Sequence, residues 1–452
     1  MKDKTFAFLA GFIICSLACS TAQTQIGTRF PSERKVVTDP VTGAKLIFLT
    51  STAAGDSKIY QTHNQWTSDG EWVVFRSHRV EDEAMAANEK TGEIVQITEG
   101  GYRGGLNVAW KSMRLFFMRR VEQEDGGRAG EIVQVDLAKL FKDSKQGNLK
   151  SASEYQKVCG VLPAGLGARG DMALDADEEW IWFRVGQEEA RKHLPEGTKM
   201  EEDFGPRNMG AGPGGIAGMN VKTGEIKHVV SVPFQVGHIQ CNPWVTGQIV
   251  FCWETGGKSP QRTWIVNADG TGLRPLYPES PHEWVTHEVV ITPTEVAIAI
   301  MAHRAIPGVA SQVPEPTGVD GANPGQEPEW GPSGTREKPT GLGIVNINTR
   351  EMIIAAQTRE GSGLWHVNGS PDGRFAVGDD FARNIYLIDR RTREMILLSA
   401  GHKTTAADHP HPSFSPDGTK ILIQSAMLSE DGRSMNLGVI PVPESWLQRE
   451  HE

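Results

Sequence analysis

Short apolar segments, each followed by a polar turn and a second apolar segment, recur along the whole chain. The apolar segments are rich in Trp, Phe, Val and Ile, which favours β-strands. The turns between them are rich in Ser, Asn, Pro, Asp and Gly, which stabilise tight turns. No long apolar segment with a helical period competes with this pattern. The sequence therefore predicts an all-β fold of short antiparallel strands.

Seven copies of the strand–turn–strand unit can be identified. Their turns begin at Ser68, Lys111, Asp175, Asn242, Thr292, Ser370 and Ser415. A second repeat, seen in Thr91–Ile94 and Thr223–Ile226, marks the outer hairpin of a unit. Seven similar units predict a seven-bladed β-propeller, in which four-stranded sheets surround a central channel. We expect Lys45–Leu49 to pair with Asn436–Ile440 and close the ring, because an open ring would expose sheet edges.

The first 22 residues are typical of a secretory signal, with Lys2 and Lys4 preceding an apolar stretch. Within it, residues 17–20 resemble a bacterial lipobox that would lipidate Cys19, although Ser16 stands where a large aliphatic residue is usual. Cleavage after Ala22 is the alternative. Either interpretation predicts export to the periplasm or cell surface of a bacterium, with a lipidated Cys19 as the only membrane attachment.

Residues 23–452 are predicted to form one propeller domain. Two insertions, near 187–215 and 306–338, interrupt its repeats, and we expect them to form loops over one mouth of the channel. The formal net charge of −10 provides no basic footprint for nucleic acid. Of the cysteines beyond the signal, Cys241 and Cys252 flank one predicted hairpin, so a disulfide or two buried thiols would fit.

Histidines recur at one position of the repeat, shortly before the turn. They are His63, His238, His287, His366 and His411, the last with His409 as a companion. Two other units carry Asn107 and Met172 near that place. The position lies on or near the innermost strand of a propeller blade, so these histidines should converge on the channel. Inheritance from a repeat ancestor, with purely structural roles, is the alternative.

Converging neutral imidazoles bind divalent transition ions, and added oxygen ligands would shift the preference toward manganese or calcium. His409 and His411 lie two residues apart in a segment that reads as extended, so we expect their side chains on one side of the backbone. The chain lacks the His-Glu-x-x-His motif of zinc proteases and the Gly-x-Ser-x-Gly nucleophile elbow. The acidic residues of the repeated turns are interpreted as turn formers rather than a glycosidase pair.

Four motifs resemble those of the oligogalacturonate lyases, a family of seven-bladed propellers that act on short pectic uronides. The motifs are Gly237–Pro243, Gln261–Trp264, Thr286–Glu288 and His409–Pro412. The resemblance implies a manganese ion held by His287, His409 and His411, with His238 as the base. A glutamine three residues before the first histidine of the pair is a further ligand in that family. Here that position is Ala406, and water, Asp408 or another blade would have to fill the gap.

The resemblance predicts β-elimination on a uronic-acid-containing oligosaccharide, with Mn²⁺ or another divalent cation such as Ca²⁺ as Lewis acid. Arg262 and Arg207 would hold substrate carboxylates, although Arg262 would equally suit a structural ion pair. Gln240, His63 and His366 are candidates for binding sugar hydroxyls. Two other hypotheses are a non-catalytic, TolB-like binding propeller and a glycoside hydrolase on the same architecture.

Overall fold

The computed structural model describes residues 24–122, 128–202, 209–255, 259–279, 285–300, 341–357 and 364–449. The predicted signal with Cys19, the insertion near 306–338 and Arg207 lie outside these ranges, so export and lipidation stay predictions. Across the described ranges, none of the helices has the length and apolar character needed to cross a membrane.

Seven antiparallel sheets form the described structure, which confirms the predicted seven-bladed propeller. Three strands precede the first blade: β1 (Arg29–Phe30), β2 (Lys35–Thr38) and β3 (Lys45–Phe48). Blade one contains β4 to β7, at Ser57–Lys58, Trp72–Arg76, Ala84–Asn88 and Ile94–Gln96. Blade two contains β8 to β11, at Arg103–Val108, Arg114–Glu122, Arg128–Asp136 and Gln156–Leu162. Blade three contains β12 to β15, at Met172–Leu174, Trp180–Val185, Ala211–Asn220 and Ile226–Phe234.

The remaining blades follow the same order from the channel outward. Blade four contains β16 to β19, at Val236–Cys241, Gln248–Trp253, Thr263–Asn267 and Arg274–Pro275. Blade five contains β20 to β23, at Val285–Thr292, Glu295–Ile300, Gly341–Asn346 and Met352–Gln357. Blade six contains β24 to β27, at Leu364–Gly369, Phe375–Asp380, Ile385–Asp389 and Met395–Ser399. Blade seven contains β28 to β30, at Ser413–Phe414, Lys420–Ser425 and Asn436–Pro441.

The two chain ends join in blade seven. Strand β3 pairs with β30, where Ile47 lies opposite Val439, and β2 adds to β3 as the outermost strand. Strand β1 adds to β7 at the outer edge of blade one. The predicted closure of the ring is therefore confirmed, and it covers strand edges that would otherwise be free to pair with other chains.

Apolar side chains fill the spaces between neighbouring blades. One cluster joins Val250 and Ile265 of blade four to Val296 and Ile298 of blade five, and all four are buried. Because each sheet packs against a neighbour on both faces, its middle strands are apolar on both faces rather than alternating. This explains why the second strand of each unit is a nearly continuous apolar run.

The outer-hairpin turns of blades one and six share one hydrogen-bonding scheme. In the outer hairpin of blade one, Asn88 Oδ1 accepts from the backbone nitrogens of Lys90 and Thr91, and Gly92 follows at φ 74°. In blade six, Asp389 accepts in the same way and Arg393 takes the positive-φ place at 62°. The acidic or amide side chain replaces backbone partners within the turn. In the Ser-Pro-Asp-Gly turns, Asp372 and Asp417 likewise accept hydrogen bonds within their own turns, as expected of turn formers.

Helices are few in the described part of the chain. They are α1 (Leu137–Lys145), α2 (Gln187–Arg191) and α3 (Glu444–Leu447), with 3₁₀ turns at Ala152–Glu154 and Ala164–Leu166. Helix α1 begins at Asp136, whose side chain caps the backbone nitrogen of Lys139. The cysteine alternative is also resolved: Cys241 and Cys252 are buried free thiols.

Candidate active site

The inner strands of blades four, five and six each contain a bulge on the channel side. Pairing of β16 with β17 skips His238 and Ile239, and pairing of β20 with β21 skips His287 and Glu288. His238 and His287 adopt positive φ angles of 49° and 52°. For a residue with a Cβ this conformation costs about 1–2 kcal/mol, and such strain concentrates at functional sites. The bulge therefore aims equivalent histidines of two blades in equivalent directions.

The His409–His411 pair does not lie in a strand, contrary to the prediction. Residues 408–412 are irregular, and β28 begins only at Ser413. His411 has a φ of 49°, so the alternation of an extended segment does not apply to it. Both rings nevertheless approach the same neighbour, His366, with centroids 5.2 Å away for His409 and 3.8 Å for His411.

Four histidines from three blades form a cluster centred on His366. The His287 ring lies 4.3 Å from that of His366, and the His411 ring stacks on it at 21°. Burial first, and then the neighbouring imidazoles, hold the pKa of His287 and of His366 well below the usual range. Burial also lowers the pKa of His409. The rings of His287, His366 and His409 are therefore neutral near pH 7, the form in which imidazole binds metals.

Three rings of the cluster have a buried nitrogen without a hydrogen-bond partner among the described residues. They are Nδ1 of His287, Nδ1 of His409 and Nε2 of His411. The last lies 3.2 Å from Asp408 Oδ1, but without hydrogen-bond geometry. Unsatisfied buried polar atoms are costly, and coordination to a cation would remove that cost at each nitrogen the cation reaches. The residues present thus fit a divalent cation.

Asp379, on β25, supports the cluster from behind. Its carboxylate accepts from the backbone nitrogens of His366 (2.7 Å) and His411 (3.2 Å), and both of its oxygens lie 3.1 Å from His366 Nδ1. A carboxylate on one ring nitrogen turns the other toward a metal and raises its basicity. Asp379 and His366 also form a metal-compatible group with His409, their candidate ligand atoms lying within 4.8 Å of one another.

His238 has a contrasting, charged environment. Its Nε2 lies 3.2 Å from Glu254 Oε2, and its Nδ1 lies 3.2 Å from Glu288 Oε1 and 3.3 Å from Arg262 Nη2. Burial opposes the charged imidazole, but the two carboxylates outweigh burial and raise the pKa of His238. The same channel thus holds one histidine with increased proton affinity beside the neutral His287 and His366.

Arg262 forms a buried ion pair in this environment. Its Nε donates to Glu288 Oε2 at 2.9 Å, and the residue is only 3% exposed. Burial of Glu288 is offset by Arg262 and His238, which lower the pKa of its carboxyl. His238, Cys252 and Glu288 also have metal-compatible spacing. The guanidinium already neutralises that carboxylate, so the histidine cluster is the better cation site.

Two of the other predicted site residues have their polar atoms in use within the protein. Gln240 is fully buried, donates to the backbone of Glu288 and accepts from that of Val290, both at 2.9 Å. His63 lies in the turn after β4, with Nε2 2.8 Å from the carbonyl of Met172 and Nδ1 2.7 Å from Thr62 Oγ1. Roles for these two in sugar binding stay predictions.

Tyr60 is a site residue that the sequence reasoning missed. Its ring lies 5.4 Å from that of His238 and 5.2 Å from that of His411, so it lies between His238 and the histidine cluster. Burial, and then the negative charge of Glu288, raises the pKa of its hydroxyl. Its position three residues before His63, the repeat histidine of blade one, is the signal that could have identified it.

Two solved structures of oligogalacturonate lyases are similar to this chain over nearly its whole length. An oligogalacturonate lyase in complex with manganese is 18% identical, with a TM-score of 0.69, and the match covers 94% of this chain and 100% of that one. The oligogalacturonate lyase from Vibrio parahaemolyticus is 17% identical, with a TM-score of 0.67 and the same coverage. No protein-family model and no curated protein matches this chain. The predicted resemblance is therefore confirmed for the fold.

Proposed function

We propose that this protein is a metal-dependent lyase that cleaves uronic-acid-containing oligosaccharides, of the oligogalacturonate type, by β-elimination. The observation that carries the proposal is the contrast in proton affinity between histidines of one channel. His238 has a raised pKa, whereas His287 and His366 are neutral and belong to a cluster with unpartnered ring nitrogens. The similarity in fold to two oligogalacturonate lyases supports the choice of substrate class.

A divalent cation, with Mn²⁺ as the first candidate, would be held by His287, His409 and His411. We assign His366 to the same ligand set, with Asp379 behind it, because no glutamine stands at position 406. When bound, the cation supplies Lewis-acid stabilisation of the charge that develops on the uronate carboxylate.

Proton transfer during elimination would involve His238, Glu254 and Tyr60. Nε2 of His238 accepts the proton of C5, and Glu254, 3.2 Å away, stabilises the resulting imidazolium. The electrons of the C5–H bond form the C4–C5 double bond, and the C4–O4 bond breaks. Tyr60 donates its hydroxyl proton to O4, and the imidazolium of His238, whose ring lies 5.4 Å from that of Tyr60, returns a proton to the tyrosinate. The step is redox-neutral, and the enzyme is restored.

The experiment is an elimination assay on a panel of uronic-acid oligosaccharides, read as the ultraviolet absorbance of the unsaturated product, with Mn²⁺ or with a chelator. Mn²⁺ binding is measured separately by electron paramagnetic resonance. We expect His287→Ala to weaken Mn²⁺ binding and abolish elimination. His238→Ala should retain Mn²⁺ binding while elimination falls roughly 10²–10⁴-fold, the usual contribution of a general base.

The matched control is the exposed His78→Ala, which should change neither readout. A folded wild-type protein that binds Mn²⁺ yet releases no unsaturated product from the panel would contradict the proposal. That result would favour the binding-propeller hypothesis.

A further inference from the structure

A cavity of about 400 Å³ adjoins the candidate active site, because His238 and Tyr60 both contribute to its wall. Its other walls come from the inner parts of blades one, two and three, including Leu106 and Met172. The volume is within the range of small-molecule pockets in proteins, which is about 300–1,000 Å³. The proposed reaction uses only the edge of this cavity, so most of it has no assigned role.

Three arginines line the cavity: Arg76 at the end of β5, Arg169 before β12, and Arg184 on β13. Arg184 Nη1 donates to the carbonyl of Val236 at 3.0 Å, which ties it to the strand that carries His238. Arg76 has a buried Nε with no hydrogen-bond partner among the described residues. Its Nη2 makes one long hydrogen bond, 3.5 Å to the carbonyl of Gly104, so the guanidinium can bind an anion at the loss of little existing contact.

Among the described residues that line this cavity, Asp171 is the one carboxylate, and it is partly committed elsewhere. Its Oδ1 accepts from the backbone nitrogen of Ile239 at 3.2 Å. Burial raises its pKa, although His238 and Arg184 oppose the change. Three guanidinium groups therefore face one carboxylate in a chain whose formal net charge is −10. The positive character is local to the cavity and contrary to the overall charge.

Close backbone contact between blades two and three keeps the cavity open. The backbone nitrogen of Gly105 donates to the carbonyl of Gly170 at 2.6 Å. A Cβ at Gly104, which has a φ of 75°, would lie 2.1 Å from the Cα of Gly170. Glycine is therefore required at this contact, and the absence of side chains there leaves room for a ligand.

We propose that this cavity is a second uronate subsite, in which Arg76 and Arg184 bind the carboxylate of the sugar next to the one being cleaved. Arg169, which is exposed, assists at the rim. The inference rests on the proposed function for its ligand class. Guanidinium groups match carboxylates geometrically and form charge-assisted hydrogen bonds with them. Arg262 cannot serve as this clamp without abandoning its buried pair with Glu288.

The test compares binding of a trigalacturonate with binding of its methyl ester, by calorimetry, with chelator present so that no metal contributes. We expect the wild-type protein to bind the free acid roughly 10- to 100-fold more tightly than the ester, as for one or two charge-assisted hydrogen bonds. Arg76→Ala/Arg184→Ala should reduce this ratio to near one and leave the affinity for the ester unchanged. Arg391→Ala, an exposed arginine of blade six, is the control that should keep the full ratio.

Unchanged affinity of the double variant for the methyl ester also shows that its binding site remains folded. If the double variant misfolds, Arg76→Gln removes one charge with little loss of length and should lower the ratio by roughly tenfold. An unchanged ratio in a folded variant would overturn the second subsite, whatever the elimination assay shows. If the ratio of acid to ester affinity falls to near one in the double variant, the second subsite is supported. If the elimination assay is negative at the same time, that result counts against the lyase reaction alone.

Discussion

Replacement of Arg262 by Met should destabilise the protein strongly, because it leaves a buried carboxylate without its counter-charge. Arg262 is 3% exposed and Glu288 is 0% exposed, and their ion pair measures 2.9 Å. Removal of one partner of such a pair costs about 3–5 kcal/mol. If Arg262 served only to bind substrate, its loss would change stability by less than about 0.5 kcal/mol. The two roles therefore predict very different stabilities for the substrate-free protein.

The assay is urea unfolding of the metal-free protein, followed by tryptophan fluorescence. With an m-value of about 3 kcal/mol/M, the midpoint should fall by about 1–1.7 M in Arg262→Met. The double variant Arg262→Met/Glu288→Met removes both charges, so most of the lost stability should return. A single variant that loses less than about 1 kcal/mol, or a double variant no more stable than the single one, would refute this reasoning.

Three further predictions concern the proton and metal chemistry. Asp379→Asn should weaken Mn²⁺ binding roughly 10- to 100-fold in a paramagnetic resonance titration, and unchanged affinity would exclude its supporting role. Glu254→Gln removes a negative charge that raises the pKa of His238, so the acid limb of kcat/KM should move to lower pH; a limb that stays in place or moves upward would contradict that link. Tyr60→Phe should slow elimination of a natural glycosidic leaving group and have little effect when O4 carries a nitrophenyl group, which needs no acid; equal losses on both would show that Tyr60 is not the proton donor.

Much of the fold can be predicted from the sequence because the same strand–turn–strand pattern occurs seven times. Ser370 and Ser415 begin turns in which an aspartate two residues later is hydrogen-bonded to the serine and a glycine adopts φ near 70°. The closing strands were identifiable because each end of the chain carries an apolar strand with no partner in its own unit. The convergence of His287 and His366 likewise follows from their nearly equivalent places in the repeat.

The rest of the site cannot be predicted from the repeat, because it depends on bulges in the inner strands and on residues that are not repeated from blade to blade. The inner strands of blades five and six each have two unpaired residues at the bulge. When the two strands are aligned by their pairing, His366 corresponds to Glu288 rather than to His287. Strand periodicity cannot reveal a bulge, and a positive φ is uncommon for any residue with a Cβ. Asp379 had one visible signal, a carboxylate at the end of the apolar strand Phe375–Asp380.

A contrast in proton affinity between the histidines of one channel connects these features to function. Burial away from counter-charges keeps His287 and His366 neutral, whereas Glu254 and Glu288 raise the pKa of His238. Titratable groups whose pKa values are driven apart by their surroundings divide the tasks of an active site, and we propose such a division here between His238 and the neutral histidines. A structural network inherited from the repeat would give each histidine a similar environment. The difference in environment is therefore the strongest physical argument for chemistry in this channel.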